Sequence, residues 1–126
     1  MGKILVVDDS EVVRIKISNI LTEADHEVFE ASDGPEGVRI ASENPDIQIV
    51  LTDYNMPEMD GLTMVEKVKE INGMENAFYA VLTTESSPTL KEKGKAVGVR
   101  LWIVKPVDKK NLLKITDTIF KKLSAA

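Results

Sequence analysis

Cysteine is absent from the chain, so neither a disulfide framework nor a thiolate metal centre can organise it. That suits a reducing compartment, and the expected location is cytoplasmic. Long apolar runs are also missing: no stretch approaches the length of a membrane span. The run Ile4–Val7 stops at two aspartates, which excludes a signal peptide. No basic stripe is evident against the net charge of −5, and this argues against nucleic acid as a direct partner. Aromatic residues make up 5% of the chain, with a single tryptophan and a single histidine. That histidine, His26, precedes the second apolar run and reads as a solvated loop residue rather than a ligand. Linkers, repeats and low-complexity segments are absent too. The 126 residues therefore make one domain, 1–126, long enough to bury a single core.

What is present is an alternation. Five short apolar runs, Ile4–Val7, Val28–Ala31, Ile47–Thr52, Tyr79–Thr83 and Leu101–Val104, are separated by segments of helical period. The first, third and last are nearly continuous in aliphatic residues, as parallel strands covered on both faces are. The second carries Glu27 and Glu30, which suits an edge strand. Between them, Ser10, Asp33, Asp60 and Ser87 stand where helix N-caps are expected, with Pro35 and Pro88 in the first turns that follow. Val13, Ile17, Ile20, Leu21 and Ala24 make one apolar face, and Met64, Val65, Val68 and Ile71 another. Leu90, Gly94 and Val97 face inward on the fourth helix, and Leu112, Ile119, Phe120 and Leu123 line the fifth. The pattern predicts an α/β domain, (βα)5, whose parallel sheet is covered by helices on both faces.

In such sheets ligands bind beyond the carboxyl ends of the strands. Asp8 and Asp9 follow the first strand, Asp53 the third, Thr83 and Thr84 end the fourth, and Lys105 ends the fifth. Three carboxylates and one ammonium leave a charge of −2 at one edge. A hard divalent cation with oxygen ligands would relieve it, and Mg²⁺ fits. Each group taken singly has a plainer explanation. Asp9-Ser10 caps a helix equally well, Asn55-Met56-Pro57 is a sound turn, and a terminal lysine is often a solvated end. Delivery of complementary groups from four strands to one edge is what favours a site.

The segments "VVDDS" (Val6–Ser10), "LTDYNMPEMDG" (Leu51–Gly61), "VLTTES" (Val81–Ser86) and "WIVKP" (Trp102–Pro106) together resemble the receiver domains of two-component response regulators. Single-domain chemotaxis members are the nearest in pattern. Intervals of 44, 30 and 22 residues separate Asp9, Asp53, Thr83 and Lys105, and these match the family as well. The resemblance covers essentially the whole chain. It implies a flavodoxin-like, doubly wound five-stranded parallel sheet of order 2-1-3-4-5. It also implies a signalling switch rather than an enzyme: a histidine kinase or histidine phosphotransfer domain phosphorylates Asp53 in a Mg²⁺-dependent reaction.

By the same resemblance, Asp9, Asp53 and the Asn55 carbonyl hold the metal, Asp8 joins the metal site mainly through metal-bound water, and Thr83 and Lys105 contact the phosphoryl group. Asn55 and Glu85 modulate dephosphorylation, and the Lys105–Pro106 peptide is cis. Trp102 occupies the position of an aromatic that moves inward on activation. Lys91 and Lys95 lie on the output surface of helix 4, strand 5 and helix 5, where Lys91, Lys93 and Lys95 also fit an ordinary solvated face. Gly94 is expected to soften helix 4. Val12 and Ile15 would dock the histidine-bearing partner. The implied output is a protein such as a flagellar motor switch component, bound by a monomer. Two other functions remain open: a phosphorelay intermediate or phosphate sink, and an aspartate-nucleophile phosphohydrolase. The last lacks the acid/base carboxylate it would need at position 55.

Overall fold

In the computed structural model, which describes residues 2–124, five strands alternate with five helices. The strands are β1 (Lys3–Val7), β2 (Glu27–Ala31), β3 (Ile49–Thr52), β4 (Phe78–Thr83) and β5 (Val99–Val104). Between and after them come α1 (Glu11–Glu23), α2 (Gly34–Glu43), α3 (Gly61–Lys69), α4 (Pro88–Val97) and α5 (Lys109–Ser124). All pairings are parallel and the order is β2-β1-β3-β4-β5, in agreement with the expected fold. Among the described residues β2 and β5 are the edge strands.

Alternate side chains of the sheet feed two separate cores. Leu5, Val7, Val50, Tyr79 and Val81 pack with Met64, Val65 and Val68 of α3 on one face. Ile4, Val6, Ile49, Leu51, Ala80 and Leu82 pack with Ile17 and Leu21 of α1 and Leu112 and Ile119 of α5 on the other. Burial on both faces is why β3 and β4 read as unbroken apolar runs. The helix starts follow the expected caps. Asp33 accepts from Glu36 N–H at 2.8 Å, Asp60 from Thr63 N–H at 2.8 Å, and Ser10 and Ser87 more weakly at 3.4 Å.

Several boundaries differ from the sequence reading. Ile47 is buried but precedes β3, because the chain is still in a turn there, with Ile47 N–H bonded to Asn44 O. Ala24 caps α1 from outside, and Ile71 packs on the core beyond the end of α3. The fifth strand begins two residues early, at Val99, and carries a bulge. Tyr79 pairs with Val99 and Ala80 with Leu101, so Arg100 is the extra residue. The bulge lets Val99 face one core and Leu101 the other, and it lays the Arg100 guanidinium over the Phe78 ring at 4.9 Å.

His26 also departs from expectation. It is half-buried and stacks on Phe120, ring centroids 4.8 Å apart, at the sheet end opposite the aspartates. Desolvation lowers its pKa, and its buried Nδ1 has no partner among the described residues.

Candidate functional site

The four strand ends do converge. Asp8 continues β1 and is buried; its Oδ1 accepts the Ser10 N–H at 2.9 Å. Asp53 follows β3, and its Oδ1 accepts the Asn55 N–H at 3.2 Å. The other carboxylate oxygens of both residues accept from one group: Lys105 Nζ stands 2.8 Å from Asp8 Oδ2 and 2.8 Å from Asp53 Oδ2. Asp9 is exposed at the rim. Oxygens of Asp8, Asp9 and Asp53 lie within 4.8 Å of one another, a spacing and chemistry suited to a small hard cation.

Lys105 is the sole cation paired with the carboxylates of the cluster among the described residues. Desolvation works to lower its pKa, but the hydrogen bonds and charges of Asp53 and Asp8 outweigh this and raise it above the ordinary lysine value. The ammonium is therefore held charged. Its backbone is tied to β4 as well, because Lys105 N–H donates to Thr83 O at 2.8 Å. The Lys105–Pro106 peptide is cis.

Thr83 is fully buried, and its hydroxyl accepts the Glu85 N–H at 3.3 Å. Asn55 is exposed and Glu85 half-buried, each two residues beyond the strand-end group of its own loop. Sequence reasoning missed two supports. Arg14 Nη1 donates to the Asp8 carbonyl at 2.9 Å while its Nε bonds Glu30 at 3.2 Å, so α1 clamps the chain that carries Asp8. The signal was an arginine on the half-buried flank of α1, one turn beyond the aspartates. Gly61 lies so close to the Asp53 carbonyl that a Cβ there would sit 2.1 Å from it.

Comparison with known proteins shows the family. A family model described as the response regulator receiver domain matches residues 4–117. The chain belongs to the response regulator receiver domain family. A chemotaxis protein CheY homolog of Campylobacter jejuni is 40% identical over 105 residues, 82% of this chain and 81% of that protein. Protein PilH of Pseudomonas aeruginosa is 33% identical over 94% of this chain and 98% of its own length. Among solved structures, Vibrio cholerae CheY4 superposes with a TM-score of 0.90 at 38% identity, covering 94% of this chain and 98% of that one. The CheX–CheY–BeF3–Mg²⁺ complex of Borrelia burgdorferi matches with a TM-score of 0.86 at 29% identity, covering 94% and 89%.

Away from the aspartates, this receiver domain places Trp102 half-buried between β5 and α4. Its indole Nε1–H donates to the Glu85 carbonyl at 2.7 Å, and its ring tilts against Tyr54 at a centroid distance of 6.5 Å. Gly94 is buried directly beneath it. A Cβ at position 94 would stand 3.1 Å from Trp102 Cζ3 and 3.3 Å from Cε3. The glycine thus makes room for an indole, a role that sequence reasoning did not assign to it. Ala at position 94 favours helix by about 1 kcal/mol, yet it must push the ring aside by a few tenths of an ångström. Gly94→Ala is therefore expected to shift the emission of the single tryptophan and to lengthen the indole–Glu85 bond. An unchanged emission spectrum would show that the ring does not depend on the gap.

Lys91 and Lys95 are exposed one turn apart on α4. Val12 and Ile15 are 80% and 41% exposed on α1. On the same helix, Val13, Lys16 and Ile17 line a narrow apolar cleft with Leu82, Lys105, Pro106 and Val107.

Proposed function

We propose that this receiver domain is a Mg²⁺-dependent phospho-aspartate switch whose phosphoryl acceptor is Asp53. One observation carries the reading: Lys105 Nζ bonds the Asp8 and Asp53 carboxylates equally, at 2.8 Å, at the mouth of a three-aspartate cluster. The Asp53 carboxylate attacks the phosphorus of a phosphorylated imidazole. A P–O bond forms, the P–N bond breaks, and the imidazole leaves with a proton taken from solvent. Such transfer passes through a loose transition state, so positioning and charge neutralisation do most of the work. Lys105 exchanges an Asp53 oxygen for a phosphoryl oxygen, and the Thr83 hydroxyl turns from the Glu85 amide to the phosphoryl group. Asp8, Asp9, Asp53 and the Asn55 carbonyl would form the Mg²⁺ site, and the ion would supply charge neutralisation for the phosphoryl oxygens. Water later hydrolyses the acyl phosphate under the influence of Asn55 and Glu85.

The signal leaves through Glu85. Its amide contacts Thr83 and its carbonyl holds the Trp102 indole, so a Thr83 that turns away perturbs α4 through two hydrogen bonds. A histidine kinase or phosphotransfer domain docks over Val12 and Ile15, beside the acceptor. The output is binding of a protein at the α4–β5–α5 face by a monomer. Among the CheY relatives, a chemotaxis role with a flagellar motor switch protein as target fits best.

Incubation with Mg²⁺ and a small phosphoramidate donor should place one phosphoryl group on the peptide containing Asp53, and chelation of the metal should prevent it. Asp53→Asn should remain unlabelled. Labelling of that variant at the wild-type rate would remove the central assignment.

A further inference from the structure

Two of the three clustered carboxylates are held from both sides. Asp8 accepts from Ser10 N–H at 2.9 Å and from Lys105 Nζ at 2.8 Å. Asp53 accepts from Asn55 N–H at 3.2 Å and from Lys105 Nζ at 2.8 Å. Asp9 differs: it is exposed, and among the described residues no donor or cation reaches its carboxylate. A carboxylate oxygen of Asp9 nonetheless lies within 4.8 Å of those of the other two. The backbone must therefore set its direction. A peptide unit is planar, so whatever fixes the Asp8 C=O also fixes the Asp9 N–H and the start of the Asp9 residue. Two contacts fix that stretch: Asp8 N–H donates to Ala31 O at 3.1 Å, and Arg14 Nη1 donates to Asp8 O at 2.9 Å. The Arg14 side chain is only 15% exposed, and its Nε donates to Glu30 Oε1 at 3.2 Å. Glu30 Oε2 in turn accepts from the buried Ser18 hydroxyl at 3.1 Å. Glu30 of β2, gripped by Ser18, thus braces Arg14 against the peptide that leads into Asp9. The rigid fork of a guanidinium can bridge a carbonyl and a carboxylate at once, which a lysine ammonium on its flexible stem does not reproduce.

We infer that Arg14, braced by Glu30 and Ser18, is a positioning residue that sets the metal selectivity of the aspartate cluster through Asp9. The inference rests on the Mg²⁺ reading of that site and adds a source for its choice of ion. Mg²⁺ demands a near-ideal octahedral shell at short oxygen distances, whereas Ca²⁺ accepts longer and less regular ones. An Asp9 carboxylate fixed by its peptide favours the smaller ion, and one free to swing gives up that preference. A purely electrostatic role for Arg14 makes a different prediction. As a cation near the carboxylates it would oppose both ions, so its loss would tighten both alike. Because the two ions carry the same charge, the ratio of their dissociation constants cancels that effect and reports geometry.

The test is titration of the metal-free protein with Mg²⁺ and, separately, with Ca²⁺, in wild type, Arg14→Lys, Glu30→Ala and Glu30→Gln. Arg14→Lys keeps the charge and loses the fork. Glu30→Ala removes the brace at an exposed position of the edge strand, where the side chain bonds Arg14 and Ser18 rather than the aspartates. Each should weaken Mg²⁺ binding about tenfold, as loss of groups that orient metal ligands commonly does. Ca²⁺ should weaken much less, so the preference for Mg²⁺ falls by most of that factor. Glu30→Gln keeps an acceptor for Arg14 and should restore most of the preference. Ile20→Val, in the buried face of α1 away from the brace, should lower the urea midpoint and leave the preference unchanged. An unchanged ratio in a folded Arg14→Lys or Glu30→Ala protein overturns the inference, and so do equal losses for the two ions. An equal fall in Ile20→Val overturns it too, because the ratio would then follow general stability. Should Arg14→Lys fail to fold, Glu30→Ala decides alone. A wild-type protein that binds no Mg²⁺ at about 10 mM defeats the metal reading and this inference with it. One that binds Mg²⁺, with variants that keep its ratio, defeats this inference alone.

Discussion

Lys105→Met is expected to bind Mg²⁺ more tightly than the wild-type protein and to transfer phosphoryl groups far more slowly. Both effects follow from the paired 2.8 Å contacts to Asp8 and Asp53. In the resting site the ammonium is the internal counter-ion of three carboxylates, and it competes with any incoming cation. Its removal changes the charge at the strand ends from −2 to −3. At an effective dielectric near 20, a unit charge a few ångströms away is worth several kcal/mol, so an affinity gain of about tenfold or more is a conservative expectation. Transfer should move in the opposite direction. Loss of a preorganised donor to developing charge commonly costs about 10²–10³-fold in rate.

The metal-free variant should also unfold at lower urea than wild type. Asp8 is buried, and without Lys105 it keeps the Ser10 amide but no cation. Added Mg²⁺ should recover much of that loss. Calorimetric titration of the metal and phosphorylation time courses read the two effects separately. Tighter metal binding with unimpaired transfer would confine Lys105 to a structural counter-charge. Weaker metal binding would mean that the lysine organises the carboxylates rather than competing for them.

Much of this arrangement is legible in the chain because its physics is local. Strands buried on both faces must be apolar throughout, and helix starts need a side-chain acceptor, so β3, β4 and the caps at Asp33 and Asp60 announce themselves. The aspartate site is legible for a topological reason: parallel strands put their following residues on one edge. What stays hidden depends on partners distant in sequence. The bulge at Arg100 exists because Val99 and Leu101 must face different cores, which no period of two can express. Gly94 looks like a weak point in a helix until the Trp102 ring is seen lying on it. Lys105 can be assigned to the carboxylates, but its equal division between Asp8 and Asp53 is a matter of geometry.

Gly61→Ala is the substitution expected to do most harm for one added methyl group. Gly61 opens α3 at the end of the loop that carries Asp53, and its amide closes that loop by donating to Tyr54 O at 2.9 Å. The backbone approaches so closely that the new Cβ would lie 2.1 Å from Asp53 O and 3.1 Å from both Asp53 C and Tyr54 Cα. All three are main-chain atoms, so no rotamer change relieves the contact and the loop itself must shift. Overpacking of this kind costs about 1–3 kcal/mol and sometimes more, and the upper end is expected here. A displacement near 1 Å at the Asp53 carboxylate, the proposed acceptor, should also slow phosphorylation by about 10²-fold, since transfer depends on alignment.

Gly37→Ala is the discriminating control. Its Cβ would come within 2.7 Å of Met64 Sδ, toward the far end of a flexible side chain that can move away, and 3.3 Å of Val7 Cγ2. It should lose about 1 kcal/mol or less and keep wild-type transfer. If urea midpoints and labelling rates of the two variants coincide, the close approach of Gly61 is not what holds Asp53. If Gly61→Ala alone fails in both, one hydrogen atom at the start of α3 keeps the Asp53 carboxylate aligned with Lys105 and Asp8.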